Sequence, residues 1–452
     1  MTPSENKRKE DLLSGPVLPL LLRMSAPNTV AFLISAIVVL TEVLFISKLG
    51  TEALAAVALA FPIIMFTQQM AFGALGGAVT SSIARSLGAG NLERAERLLW
   101  HSLFVAICGS LFFLFFFIIG GESLLKILGG EGSLLNESFS YSIIFLSGGI
   151  TIWLSGVLTA ALRGMGNMVY PAIITILASL IQVVLAGGLI LGWFGLPKMG
   201  IAGAAISVIA NGIFMSTILL LKFLNPTTPV RLKLSRLSFE KELFQDIFNV
   251  ALPASLSPVF TVATVLILTG LVAQFGTAAL AGYGIGSRVE FLMIPLIFGI
   301  GSAMTTMVGT NVGAKNIDRA EKIGFIGGIS AGLLSGIIGV ILALTPEYWI
   351  HFFTNDKAAY LVTKQYIQIV GICYGFQGLG LSLYFASQGA NAMRWAILAT
   401  IARCLIAAIG GWISVYYFSA GITGIFYSAA AAVIIYGFML IISLRMGAWR
   451  KS

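Results

Sequence analysis

The chain has 452 residues, 58% of them hydrophobic and only 10% charged, with a mean hydropathy of +0.97. Soluble globular domains carry about 25% charged residues, so this balance excludes a soluble domain and points to a polytopic membrane protein. The net charge of +9 would suit a nucleic-acid partner only if it were clustered for one, and it is not: it concentrates in alternate loops, as in cytoplasmic segments of membrane proteins.

Apolar runs of about 20 residues, enough to cross a bilayer, predict helices near 19–48, 53–80, 97–120, 138–162, 169–194, 201–223, 247–274, 282–309, 323–345, 360–387, 395–418 and 423–445. With twelve spans both termini share one side, and that side carries Lys7, Arg8, Lys9, Arg94, Arg97, Lys222, Arg231, Lys233, Arg236, Lys315, Arg319, Lys322 and Arg450. The bias places both termini in the cytoplasm, with the chain in the plasma (inner) membrane. The first apolar run is too long for a signal-peptide core, and no processing is expected. Cys108, Cys373 and Cys404 fall in separate helices and read as core packing.

The first predicted helix contains VVLTEVLFISKLG (38–50), in which Glu42 interrupts an apolar run. A charge at mid-membrane costs roughly 2.5–3.5 kcal/mol on insertion scales, so such an acid faces the bundle or a wet cavity and is a functional candidate. Asn28, Ser35 and Glu42 are spaced by seven and stay within about 40° on one helical face. The alternative is an acid that only ties neighbouring helices together.

The halves of the chain repeat. GTEALA (50–55) returns as GTAALA (276–281), Pro27 maps onto Pro253, GAGNLERAERL (88–98) onto GAKNIDRAEKI (313–323), and GIAG (200–203) onto GITG (421–424). An even number of helices per repeat makes the copies parallel, an arrangement that suits alternating access around a central cavity. The expected organisation is an N-lobe over 1–223, a cytoplasmic linker and hinge over 224–246, and a C-lobe over 247–452. The Glu and Arg of the two N-R-A-E segments read mostly as solvated side chains, with a cytoplasmic latch as the alternative.

In this order, the proline near the start of helix 1, Glu42 eight residues before Gly50, GAGN and GAKN, RGMGN (163–167), GIAGAA (200–205) and SRVE (287–290) resemble the multidrug and toxic compound extrusion (MATE) family, in its prokaryotic DinF-like type. The resemblance implies an all-α fold of twelve transmembrane helices in two parallel six-helix lobes, and an antiporter that exports organic cations, drugs or amphipathic metabolites against inward protons or sodium. It places Glu42 where the family usually has Asp. The helix 5 positions that often hold Asn and Asp are here Gln182 and Ala186, and a common helix 6 Thr falls at Val208, so the oxygens for sodium are depleted and proton coupling is favoured. A lipid or lipid-linked saccharide flippase of the same superfamily is the alternative; it would show more basic residues facing a cavity.

In the second half, Glu290 follows Arg288 by two residues, which puts them on opposite faces; Arg403 is the expected partner of Glu290 in a buried ion pair. Candidate cavity-lining residues are Asn28, Ser35, Gln68, Gln69, Trp153, Thr159, Gln182, Asn211, Thr261, Tyr283, Glu290, Tyr374, Gln377 and Tyr384, with helix-to-helix hydrogen bonding the competing role for each. There is no Walker sequence and no H-E-x-x-H, and GYGIGS (282–287) opens a membrane helix without a preceding strand. The reading is of a non-enzymatic transporter without cofactor or metal, monomeric, with a small organic substrate, membrane lipid as surroundings and no nucleic-acid partner.

Overall fold

The structure is a computed structural model and describes residues 3–450. It is all-α, with no strand among the described residues, as the bilayer demands: a helix satisfies its backbone polar groups within one segment. After α1 (Pro3–Ser14), a helix within the hydrophilic N-terminus that hydropathy does not signal, come α2 (Val17–Ser47), α3 (Thr51–Gln68) and α4 (Gly76–Gly88), the last two joined by a π-helical segment, Gln69–Leu75. The first half continues through α5 (Leu92–Ile127), α6 (Gly132–Ser147), α7 (Gly149–Gly164), α8 (Val169–Leu191) and α9 (Ile201–Leu224). The second half comprises α10 (Lys241–Ala273), α11 (Thr277–Gly313), α12 (Ile317–Leu344), the short α13 (Pro346–Trp349), α14 (Lys357–Val370), α15 (Tyr374–Gly389), α16 (Met393–Tyr416) and α17 (Gly421–Arg445). Eleven spans qualify by length and composition, or twelve when α6 and α7, bent by 48°, count as one. Every predicted segment meets one of them. Several run further than hydropathy indicates, because polar residues at a helix end extend it beyond the hydrocarbon layer.

By packing, the chain forms two units whose limits differ from the linear halves. Unit 1 holds Met1–Leu12 and Val30–Ala251, and unit 2 holds Leu13–Thr29 and Leu252–Ser452. The chain therefore changes unit three times, inside α1 after Leu12, inside α2 just after Pro27, and inside α10 just before Pro253, rather than in the linker. The reason is visible in side chains. Asp246, on the first turns of α10, binds Arg85 at 2.5 Å and Arg94 at 3.0 Å within unit 1. Asn28 on α2 donates through Nδ2 to the Ser302 hydroxyl at 2.9 Å within unit 2.

Two local devices shape unit 2. Pro258 cannot donate to the carbonyl four residues back, and that carbonyl, Ala254 O, accepts the Tyr384 hydroxyl at 3.0 Å instead. Tyr384 thus serves the backbone of a proline-interrupted helix. Between α12 and α15, glycines let backbones touch, as is common in membrane helix pairs: a Cβ at Gly332 would stand 3.0 Å from Gly375 O, and one at Gly378 2.6 Å from Ala331 O.

The N-R-A-E segments act as anchors although Glu93, Arg94 and Asp318 keep much of their solvent exposure. Asn91 and Asn316 cap α5 and α12 by accepting from the backbone N–H of Arg94 and Arg319. Glu96 is 2% exposed and pairs with Lys233 at 2.9 Å and Arg236 at 3.6 Å, fastening the linker to α5 inside unit 1. The equivalent acids of unit 2, Asp318 and Glu321, hold Arg450 at 2.7 and 2.6 Å. Polarity suggested solvation because sequence alone does not show the basic segment that folds back over each acid pair. Cys373 and Cys404 are buried, but Cys108 is exposed on α5 among the outward phenylalanines Phe104 and Phe112; core packing is wrong for it, since lipid-facing and core surfaces are equally apolar.

Candidate functional site

The seven-residue stripe of α2 does face protein. Asn28 lies with unit 2, Ser35 sits 3.2 Å from Ser179 on α8, and Glu42, 8% exposed, enters a polar cluster built by three helices of unit 1. Gln182 on α8 donates through Nε2 to Glu42 Oε1 at 2.8 Å. Ser207 on α9 donates to the same oxygen at 3.0 Å. Asn211, one helical turn beyond Ser207, donates through Nδ2 to Gln182 Oε1 at 2.7 Å. Tyr141 on α6 is near enough to interact electrostatically with the acid. Among the described residues no basic side chain pairs with Glu42.

Each member stands where its helix periodicity puts it. Ser207 and Asn211 are four apart and share a face, while Val208, one step round, packs with the apolar cluster that includes Ala186. Sequence reading named Glu42, Gln182 and Asn211 and missed Ser207, having weighed Val208 as the helix 6 position. The signal was present in GAAISVIAN (203–211), where Ser and Asn recur at i, i+4. Chemically the cluster can hold one carboxyl group in either protonation state, with amide and hydroxyl partners and no fixed counter-charge.

The remaining predicted residues do not join this cluster. Gln68 and Gln69 stand half-buried at the junction of α3 with the π segment. Trp153 is buried on α7 beside Phe113 at 5.7 Å, and Thr159 is buried on the same helix. Thr261 is half-buried on α10. In unit 2 a second polar group forms around Glu290, which accepts the Tyr366 hydroxyl at 3.1 Å. Tyr283 packs edge-on against Tyr366 at 5.5 Å, Phe426 against Tyr366 at 5.2 Å, and buried Tyr374 lies within electrostatic reach of the acid. The expected Glu290–Arg403 pair is absent among the described residues. Arg403 instead donates to Gln377 Oε1 at 3.2 Å and lies over the Tyr436 ring at 5.4 Å, because an aromatic face and an amide oxygen on neighbouring helices already satisfy its guanidinium.

The MatE family profile matches residues 27–187 and again 253–413, two copies that begin at Pro27 and Pro253. The chain belongs to the MatE family. It is a transporter of the multidrug-efflux class and not an enzyme. Curated relatives include a probable multidrug resistance protein NorM of Thermotoga maritima, 26% identical over 95% of this chain and 93% of that one. An FAD transporter of Shewanella oneidensis is 26% identical over 84% of each chain. Among solved structures, a MOP superfamily transporter from Pyrococcus furiosus superposes with a TM-score of 0.90 at 24% identity over 98% of both chains. An outward-facing multidrug resistance MATE transporter gives 0.90 at 23% over 97% of both. These likenesses show the MATE fold, twelve helices in two lobes, for this integral membrane protein.

Proposed function

We propose that this MatE protein is a proton-driven antiporter that exports organic cations or amphipathic metabolites, with Glu42 as the group that carries the coupling proton. The observation behind this reading is the make-up of the Glu42 cluster. One carboxylate accepts from an amide and a hydroxyl, and the carbonyl oxygen of that amide, Gln182 Oε1, is taken by Asn211. That inventory suits a group that binds and releases one proton and is poor for a hard cation, which takes six or more oxygens when the ion is calcium-like. An acid in such a place exchanges its proton with whichever side hydrates it, so alternating access converts inward proton flow into outward substrate movement.

Substrate class rests on chemistry in both units. The carboxylates Glu42 and Glu290 favour cations, and the rings of Tyr283, Tyr366 and Phe426 beside Glu290 supply faces for cation–π contact. Thr261, Tyr374 and Gln377 belong to the same proposed contact region of unit 2, and Asn28, Ser35, Gln68, Gln69 and Trp153 are the further candidates. Relatives at equal identity are named for multidrug resistance and for FAD transport, so identity at this level assigns no substrate. The Lys/Arg bias of the loops supports cytoplasmic termini in the plasma membrane, and a monomer is the proposed state.

The test is efflux of a fluorescent cationic dye from proteoliposomes under an imposed proton gradient or an imposed sodium gradient. The expected result is transport driven by protons and abolished by Glu42→Gln with dye binding retained. Equal transport by Glu42→Gln under the same gradient would remove Glu42 from the coupling role.

A further inference from the structure

We propose that Asn211 is a positioning residue that holds the Gln182 side chain with its NH2 group toward Glu42 and so sets the proton affinity of that acid without touching it; the functional weight of this rests on the coupling reading of Glu42. The geometry points to it through direction. Asn211 Nδ2 donates to Gln182 Oε1 at 2.7 Å, and Gln182 Nε2 donates to Glu42 Oε1 at 2.8 Å. A primary amide has a donor end and an acceptor end. With its acceptor end occupied by Asn211, Gln182 offers Glu42 only N–H, a partner for the ionised acid.

Ser207 behaves differently. Its hydroxyl lies 3.0 Å from Glu42 Oε1 and 2.7 Å from Ala204 O. One hydroxyl hydrogen serves one acceptor at a time, so Ser207 donates to Glu42 when the acid is ionised and turns to Ala204 O, accepting from the acid, when it is protonated. Ser207 accommodates both states in place, whereas the amide favours one. The other groups around the acid do not override this: the titratable neighbour from α6 is the neutral Tyr141, the partners from α8 and α9 are the uncharged ones just named, and Lys48, in the turn just after α2, lies over the Trp193 ring at 5.6 Å.

If Asn211 is replaced by Leu, Gln182 Oε1 loses its donor. A buried carbonyl without a partner is unfavourable, and Gln182 relieves this by rotating its amide and accepting from protonated Glu42. The protonated form gains a hydrogen bond and the ionised form loses one, so the midpoint of Glu42 protonation moves to higher pH, by about one unit, or about tenfold in proton affinity. Asn211→Asp turns the amide the same way by accepting its NH2 group and adds a like charge, so its shift is in the same direction and larger. Ser207→Ala removes a group that serves both states and shifts the midpoint less.

The experiment is an infrared difference titration of purified protein, following the protonated-carboxyl band that Glu42→Gln removes, together with the pH profile of dye efflux. The expected result is an upward midpoint in Asn211→Leu and a parallel move of the efflux profile. A midpoint equal to the wild-type value in folded Asn211→Leu overturns the inference. Should Asn211→Leu fail to fold, Asn211→Asp decides in the same way. Because the band reports protonation directly, unimpaired efflux by Glu42→Gln would sink the coupling reading while the orientation of the amide is still decided by the titration.

Discussion

The two halves of this MatE protein share helix order and the Asn caps of α5 and α12, yet equip their membrane acids in different ways. Glu42 of unit 1 is buried against an amide, a hydroxyl and a second amide behind them. Glu290 of unit 2 is half-buried with a single tyrosine hydroxyl on it and aromatic rings around it. The first surroundings give a carboxyl group uncharged partners, an amide N–H that favours the ionised form and a hydroxyl that serves both forms; the second set an acid beside one phenol and aromatic rings. One scaffold thus occurs twice with different polar residues around its membrane acid, and the proposed division is proton chemistry at Glu42 and substrate contact at Glu290. The ion anchors diverge too, with Glu96 enclosed in unit 1 and Arg450 bridging the exposed Asp318 and the half-buried Glu321 in unit 2.

The sharpest way to break the contrast between the halves is in the glycine seam of unit 2. Gly378→Val would push a side chain into the Ala331 carbonyl and Ser335, and overpacking of this kind costs about 1–3 kcal/mol or more; a fall in detergent melting temperature larger than that of any acid substitution is expected. Next is Glu96→Gln, which leaves Lys233 and Arg236 without their enclosed carboxylate. Because Lys233 and Arg236 are about one-third exposed, the 3–5 kcal/mol for breaking a fully buried pair is discounted to about 1–2 kcal/mol. Arg450→Ala, by the same melting assay, should lose less than Glu96→Gln, because its ion pairs are exposed to solvent; equal losses in the two would erase the contrast.

Glu290→Gln sharpens the comparison functionally. It should weaken binding of a cationic dye by about tenfold, roughly 1.4 kcal/mol, while the proton gradient still drives efflux. Loss of driving force with binding intact would give Glu290 the role assigned to Glu42. The smallest effect concerns pH. The Ser238 hydroxyl and then the Arg97 guanidinium hold the Glu240 carboxyl in the linker below its ordinary value of 4.5. A depressed carboxyl contributes stability above its unfolded value and loses it as pH falls through the folded one. Linker docking should therefore loosen only below about pH 4.5, seen as faster pepsin cleavage within 225–240, and Glu240→Gln should remove that pH dependence.

Much of this was legible in the sequence. The helices followed from hydropathy, the duplication from GTEALA and GTAALA, and Glu42 from an acid in an apolar run. What was not legible lay in tertiary choice. Arg403 had a plausible acid on α11 and took Gln377 and Tyr436 instead, because pairing is decided by which faces of α15, α16 and α17 meet. Ser207 and Val208 are adjacent in sequence and 100° apart on the helix, so a one-residue difference in register hid the hydroxyl. The unit boundaries at Val30 and Leu252 lie beside the repeated Pro27 and Pro253, but the prolines alone did not show a change of unit, since α2 and α10 run through them unbroken.

The central claim is tested most directly by counting protons. Proteoliposomes loaded with an internal pH indicator and a cationic dye would be followed during dye efflux for the intact protein, Glu42→Gln and Glu290→Gln. The account predicts dye-dependent proton movement for the intact protein and Glu290→Gln and none for Glu42→Gln. Dye-dependent proton movement in Glu42→Gln at the wild-type rate would contradict it.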